Sequence, residues 1–254
     1  MIQILVYICD AILLLDNCTN KSMKYILYSC FLFPFLVFSQ ADFSQAEKLF
    51  NQANYSQAKP IFLEFLKENP NHLKTLEYLG DIEGNLKSWN TAIVYYKKLK
   101  KLNPKEANYY YKYGGCLGMK AKECDKIKAL GMIGEIKASF EKAIELYPNH
   151  IEARWALIEL YLQLPGIVGG SERKAQRYAE ELLKISPVDG FLAKGHIAEY
   201  FNRYKEAEKN YSKAIAIGHS KNTFQKLYNL YCNKLKDFDK AKKLKKEFEN
   251  KSQT

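Results

Sequence analysis

Histidines are the first candidates for chemistry in this chain, because their side chains bind metals and transfer protons near neutral pH. The four are His72, His150, His196 and His219. His72 and His150 each follow a Pro-Asn pair, which favours a turn. The other two are 23 positions apart and lack the short spacing of metal ligands. The sequence therefore predicts no metal site.

Glutamates are the second candidates, since two carboxylates in one pocket perform general acid–base catalysis. Glu159 and Glu199 are both expected on one surface, but the sequence indicates neither the closed pocket nor the tuned pKa that such catalysis needs. The chain also lacks G-x-S-x-G, H-E-x-x-H, a phosphate-binding loop and a Cys-x-x-Cys pair. We therefore predict a protein that is not an enzyme and has no cofactor.

A glycine-rich segment, Pro-Gly-Ile-Val-Gly-Gly-Ser at residues 165–171, precedes a predicted helix. Gly169 and Gly170 give the backbone freedom to turn, and Ser171 is a typical N-cap for a helix that begins near Glu172. The N–H groups at such a helix start also suit an anion. A capping loop is the favoured interpretation, an anion site remains open, and no role is assigned to the segment.

The chain is basic, with 39 Lys and Arg against 28 Asp and Glu among 254 residues, a net charge of +11. Its 47% of hydrophobic residues suffices for a core and excludes global disorder. Arginine occurs only at positions 154, 173, 177 and 203, whereas nucleic-acid recognition usually recruits clustered arginines. The charge therefore indicates a lysine-coated surface rather than a nucleic-acid site, and contact with anionic membranes or acidic partners remains open.

Two apolar runs occupy the N-terminal forty residues, and the second has the anatomy of a secretory signal. It covers residues 25–38, follows Met23 and Lys24, and leads into Ser-Gln-Ala. Fourteen residues are too few to span a bilayer as a helix. We predict that residues 1–22 are an over-extended start, that 23–41 are a signal peptide, and that 42–254 are exported to the periplasm or cell envelope. An uncleaved membrane anchor is the alternative.

Cleavage after residue 41 leaves three cysteines, Cys116, Cys124 and Cys232. Two interpretations remain open: a disulfide between Cys116 and Cys124, which flank an insertion, or free thiols that are buried or partly buried.

Prolines recur at the ends of amphipathic stretches, at positions 70, 104, 148 and 187, with spacings of 34, 44 and 39. The 34-residue unit is clearest at residues 73–106. Its apolar and small residues fall on one face of each of two helices: Leu76, Leu79 and Gly80, then Ala92, Tyr96 and Leu99. Two amphipathic helices per period predict a repeat protein.

These residues resemble the tetratricopeptide repeat (TPR), and the pattern recurs over about residues 43–250. The other matching positions are Ala58, Phe62, Phe65, Tyr110, Tyr113, Gly114, Phe140, Ala143, Leu157, Tyr161, Ala175, Leu182, Phe191, Gly195, Ala207, Tyr211, Ala214, Tyr228, Ala241 and Phe248. The resemblance implies an all-α, right-handed superhelical solenoid of five to six stacked antiparallel helix pairs. Insertions near residues 121–130 and 165–171 interrupt the period, the first of them expected to extend a helix pair and loop from one edge. The lysine-rich last helix, residues 240–250, is expected to be a solvating cap.

In the TPR family the first helix of each repeat lines a concave groove. Carried onto this chain, the groove positions are Glu77, Asp81, Tyr111, Met119, Trp155, Glu159, Gln163, Leu192, His196, Glu199 and Tyr200. Aromatic and carboxylate side chains together suit an extended peptide or a partner helix. Packing of Trp155 or Tyr111 between repeats, rather than in the groove, remains open. The sequence thus predicts a scaffold that binds a protein or peptide, with a small-ligand accessory protein of the envelope as the alternative.

Overall fold

A computed structural model describes residues 42–251 of the chain. The predicted start and signal segments, residues 1–22 and 23–41, lie outside this part. Within it the chain is helical and contains no strand. None of the helices in this range is both long and apolar enough to cross a membrane.

The helices follow one another through short connections. They are α1 (residues 42–51), α2 (Tyr55–Glu68), α3 (Leu73–Asn85), α4 (Trp89–Leu102), α5 (Ala107–Glu123), α6 (Lys126–Leu146), α7 (Ile151–Gln163), α8 (Glu172–Ile185), α9 (Pro187–Tyr200), α10 (Tyr204–Gly218), α11 (Lys221–Asn229) and α12 (Phe238–Lys251). A 3₁₀ turn at Gly166–Val168 precedes α8, and a π-helical segment at Leu230–Leu235 follows α11. The chain divides into two compact units, Met1–Ile82 and Glu83–Thr254.

The first unit, as described from residue 42, is held by aromatic side chains. The ring of Phe62 stacks on that of Tyr78 with 4.8 Å between centroids, and Phe50 lies 4.7 Å from Tyr78. Phe43 meets Phe62 edge-on at 5.7 Å. The hydroxyl of Tyr78 donates to Oε1 of Glu47 over 2.9 Å, so the polar end of the cluster is also satisfied.

In the second unit each helix packs against its neighbours in sequence, and alternate helices also meet. The first helices of successive pairs are in contact as α5 with α7, α7 with α9, and α9 with α11. Burial between neighbouring units is what stabilises a repeat protein. The alanines that the repeat pattern places in the second helices are all buried: Ala58, Ala92, Ala143, Ala175, Ala207 and Ala241. These contacts confirm the stacked helix pairs.

The first insertion lengthens a helix pair rather than adding a long loop. Helix α5 has 17 residues and α6 has 21, with only Cys124 and Asp125 between them. Oδ1 of Asp125 accepts from the backbone N–H of Lys128 over 3.0 Å, so α6 starts at once. The extended pair is as predicted, whereas the expected loop is a two-residue turn. Cys116, Cys124 and Cys232 are free thiols.

The second insertion is a tight capping loop. Gly169 has a left-handed φ of 102°, and a Cβ on Gly170 would lie 1.8 Å from the carbonyl oxygen of Leu164. Oγ of Ser171 accepts from the backbone N–H of Lys174 over 3.3 Å, and α8 begins at Glu172. The predicted glycine turn and N-cap are both confirmed.

The C-terminal helix α12 is apolar only on its inner face. Ala241 is buried and Leu244 and Phe248 are half-buried, whereas the lysines of the other face are exposed. The ring of Phe248 lies 4.5 Å from that of Phe224 on α11. This arrangement confirms the predicted solvating cap.

Candidate partner-binding surface

The predicted groove residues of the second unit lie on the first helices α5, α7 and α9, which contact one another in that order. We call the residues contributed by the last two helices the α7–α9 face: Trp155, Glu159, Gln163, His196, Glu199 and Tyr200. Met119 and Tyr111 lie on the neighbouring α5. Glu77 and Asp81 are half-buried on α3, in the first unit.

A close contact between His196 and Glu159 joins α9 to α7 on this face. Nε2 of His196 lies 2.6 Å from Oε1 of Glu159, and Nε2 of Gln163 donates to Oε2 of the same carboxylate over 3.0 Å. The short distance marks a close electrostatic contact, although the buried Nε2 of His196 has no well-aligned hydrogen bond within residues 42–251. The His196 contact, followed by the Gln163 bond and the charge of Lys122, lowers the pKa of Glu159 against the opposing effect of burial. Glu159 is therefore ionised at neutral pH.

Trp155 is a structural anchor at the edge of this face. Its indole Nε1 donates to Oδ1 of Asp189 over 3.0 Å, and Oδ2 of Asp189 accepts from the hydroxyl of Ser186 over 2.6 Å. The ring packs against the core formed by α9 to α12. Of the two interpretations of Trp155, the structure supports packing between repeats. Asp189 is not among the predicted residues, although the capping pattern Ser186-Pro-Val-Asp189 indicates it.

Tyr111 and Leu192 also face inward. The half-buried ring of Tyr111 lies 5.1 Å from that of His150 and 6.0 Å from that of Phe140, and its burial raises the pKa of the phenol. Leu192 is only 4% exposed and belongs to the core. The repeat pattern assigns Leu192 to the groove, but its side chain is buried in the core cluster that α9 to α12 form, so it is not an accessible groove residue.

The accessible part of the surface is smaller than predicted. Tyr200 is 47% exposed, Met119 is 39% exposed, and Gln163 is also exposed. Glu159 stays partly exposed beside them. Glu199 is half-buried and accepts from the hydroxyl of Tyr211 over 2.8 Å, so its carboxylate helps to hold α10.

The glycines of α5 leave open space next to this surface. A Cβ on Gly115 or Gly118 would meet no atom within 4 Å among the described residues, whereas one on Gly114 would lie 3.0 Å from the side chain of Phe140. Gly114 is therefore needed for the packing of α5 on α6. Because Gly115 and Gly118 have no side chains, no group protrudes from α5 at these two positions next to Met119.

The histidines of the turns act as helix caps. Nδ1 of His150 accepts from the backbone N–H of Ala153 over 3.3 Å, and Nδ1 of His72 makes the same contact with the N–H of Thr75. The prediction that His72 and His150 lie in turns is confirmed. Each imidazole accepts a hydrogen bond from the first turn of the helix that follows, which explains the histidine at both positions. No group of three or more metal-binding side chains occurs between residues 42 and 251.

An open depression of about 470 Å³ lies among the turns before α5 and α7. Its walls include Lys105, Glu106, Asn108, Tyr147 and Glu152. Polar groups of both signs line it, and the 165–171 loop is not among them. The small-ligand alternative would use a pocket closed by the 165–171 loop, and this depression is not such a pocket.

Comparison with known proteins identifies the architecture. A thermophilic TPR protein from Thermus thermophilus matches with a TM-score of 0.61 at 18% identity, over 76% of this chain and 99% of that one. PilW, a widely conserved type IV pilus biogenesis factor, matches with a TM-score of 0.59 at 16% identity, over 84% and 93%. The chain has the TPR fold.

YrrB, a TPR protein with an unusual peptide-binding site, also matches, with a TM-score of 0.50 at 16% identity over 72% of this chain and 87% of that one. No protein-family model matches the sequence, and a search of the curated proteins finds no match. At these identities the likeness establishes the TPR fold and nothing finer.

Proposed function

We propose that this TPR protein is a non-enzymatic scaffold that binds a peptide or partner helix across α5, α7 and α9. The observation that carries the proposal is the accessible group of Met119, Glu159, Gln163 and Tyr200. It combines two exposed apolar side chains with an ionised carboxylate on first helices that contact one another in series. Apolar side chains supply contact area and the charge fixes the orientation of a bound segment.

The charge of this surface differs from that of the whole chain. Although the protein carries +11, the α7–α9 face contributes the carboxylates of Glu159 and Glu199, with the lysine charge of Lys122 nearby. We propose that the partner segment presents a cationic side chain to Glu159 and an apolar one to Tyr200. The solved TPR protein with a peptide-binding site supports binding of a peptide by this fold.

The test places a photoreactive benzoylphenylalanine at position 200, with Ile217 as the matched control. Ile217 is similarly exposed but lies on α10, the second helix of its pair, which carries no predicted groove residue. We expect a discrete crosslinked partner from position 200 and none from 217. With that partner purified, Tyr200→Ser should weaken binding about tenfold, as expected for loss of an aromatic contact. Equal crosslinking from both positions, or full affinity in Tyr200→Ser, would contradict the proposal.

We further propose that the protein works in the periplasm or at the cell envelope after export. The support is the signal anatomy of residues 23–41, which lie outside the described part. Mass spectrometry of the envelope fraction should give a mature N-terminus at residue 42. An N-terminus upstream of Lys24 would contradict cleavage.

A further inference from the structure

The long pair α5–α6 presents an exposed apolar patch that no described residue covers. Ile127 is 83% exposed and Leu130 is exposed as well, although both belong to a regular helix. Gly131, Gly134 and Ala138 are exposed on the same helix. Leu130 and Gly131 lie three and four positions after Ile127. Gly134 and Ala138 follow at seven and eleven positions, so all five lie on one helical face. We call these five residues the α6 patch.

The length of α6 explains why its first turns, with Ile127, Leu130 and Gly131, are exposed. At 1.5 Å per residue, the 21 residues of α6 are about 10 Å longer than the 14 residues of α8. Helix α7 follows α6 after a four-residue connection and has only 13 residues. It therefore runs back along the C-terminal two thirds of α6, and the first turns of α6 extend past it.

The glycines of the α6 patch have no explanation in the packing of the protein. A Cβ on Gly131 or Gly134 would meet no atom within 4 Å in the described part of the chain. A glycine inside a helix costs about 1 kcal/mol relative to alanine. Together with the exposed Ile127, they make a low, apolar surface that is accessible to a large flat partner.

Lysines border the α6 patch on both sides. Lys126 and Lys137 flank one margin of this face and Lys128 flanks the other, while Lys120 and Lys122 end the neighbouring α5. Apolar side chains bordered by lysines are typical of helices that lie in the headgroup region of a membrane, where the ammonium groups reach the lipid phosphates.

The nearby carboxylates are engaged and leave part of this positive charge uncompensated. Glu123 accepts from Trp89 over 2.7 Å, Glu135 accepts from Tyr113 over 2.6 Å, and Asp125 caps α6 while pairing with Lys128 at 3.0 Å. Within residues 42–251, Lys120 and Lys126 have no carboxylate within 4 Å.

We propose that the α6 patch docks on the surface of an anionic phospholipid membrane, with Ile127 and Leu130 entering the headgroup region and the surrounding lysines contacting lipid phosphates. The charge complementarity favours this occupant over a neutral protein surface. Docking is weak and salt-sensitive, because it relies on two large apolar side chains and a few lysines. The α7–α9 face lies on other helices. Lys122 is near both surfaces because its charge also acts on Glu159, and neither test below relies on Lys122.

The first test locates the patch relative to the bilayer with the full chain. Tryptophan replaces Ile127 in one variant and Ile167 in the other, and vesicles contain phosphatidylcholine with or without phosphatidylglycerol, carrying brominated acyl chains. Ile167 is the matched control, an isoleucine that is 97% exposed on the 165–171 loop. After subtraction of the wild-type signal, we expect phosphatidylglycerol-dependent quenching at position 127 and none at 167. Equal quenching at both positions, or none at 127, would overturn the proposal.

The second test measures binding to the same vesicles. Ile127→Gln should lower the partition coefficient for anionic vesicles about fivefold to tenfold, and Lys126→Glu about fivefold or more, with Ile167→Gln within twofold of wild type. Residues 1–41 are common to all variants, so their contribution is the same in each. If polyglutamate binds in a Lys126-dependent way while the vesicles do not, the patch is an acidic-protein site instead. If Ile127→Gln dissolves a dimer seen by sedimentation, the occupant is a second copy. Either result refutes the membrane assignment.

Discussion

The helix pairs α5–α6 and α9–α10 follow the same repeat pattern, yet their glycines meet different surroundings. In α9, a Cβ on Gly195 would lie 2.4 Å from Cε1 of the fully buried Tyr211. In α6, Gly131 and Gly134 face open space among the described residues. Glycine therefore sets a close helix approach at Gly195 in α9–α10, as it does at Gly114 in α5–α6, whereas Gly131 and Gly134 leave a free surface on α6.

The two pairs also use a tyrosine–glutamate bond in different settings. The hydroxyl of Tyr211 on α10 donates to the half-buried Glu199 over 2.8 Å, and that of Tyr113 on α5 donates to the exposed Glu135 over 2.6 Å. If the tyrosine hydroxyl is removed, water can hydrogen-bond to the exposed Glu135 more easily than to the half-buried Glu199. We therefore expect α9–α10 to be the more sensitive pair.

The largest expected effect is that of Gly195→Ala. The added methyl group overlaps the ring of Tyr211, which has no room to move, so we expect a loss of about 2–3 kcal/mol in the free energy of unfolding. Urea unfolding followed by circular dichroism measures this loss. Gly115→Ala is the matched control in a first helix without a close neighbour, and it should not destabilise the protein. A neutral Gly195→Ala would remove the contrast between the two pairs.

The next largest effect distinguishes the hydrogen bond of Tyr211 from that of Tyr113. Tyr211→Phe leaves the half-buried Glu199 without its donor and should cost about 1–2 kcal/mol, whereas Tyr113→Phe should cost about 0.5 kcal/mol or less. Both losses are measured by urea unfolding at pH 7. Equal losses would indicate that the exposure of the glutamate does not decide the strength of the bond.

The pH dependence provides the control for this pair of variants. Burial, followed by the neighbouring carboxylate, raises the pKa of both tyrosines above the usual value of about 10. Their contribution is therefore complete below pH 10 and is lost as the pH rises above it, because the unfolded chain releases these protons first. Stability should fall less steeply above pH 10 in Tyr211→Phe than in the wild type. If the pH dependence of stability above pH 10 is the same in Tyr211→Phe as in the wild type, groups other than Tyr211 cause it.

The smallest effect has the opposite sign. Gly131→Ala and Gly134→Ala should each stabilise the protein by about 0.5–1 kcal/mol, since alanine favours the helix and has space for its methyl group. Thermal unfolding of the full chain in the absence of lipid measures the gain. Destabilisation by either variant would show that the α6 patch is packed, and the contrast with Gly195 would disappear.

Local sequence was sufficient for the helix pairs and their ends. The apolar period placed Ala143, Ala175 and Ala207 in the core, and Ser171 was recognisable as an N-cap from its neighbours. These features depend on a few consecutive residues, because the helical period and the capping hydrogen bond both act within one or two turns. The TPR pattern was also sufficient to predict the fold.

The tertiary structure decided what each groove position does. Trp155 bonds to Asp189, 34 positions away, and Leu192 turns into the core, although both occupy groove positions of the repeat. Such contacts depend on the rotation and separation of neighbouring helices, which the period of a single helix does not fix. The sequence by itself therefore determined the stack of helix pairs, and only the packing between helices decided which side chains remain accessible on the α7–α9 face and the α6 patch.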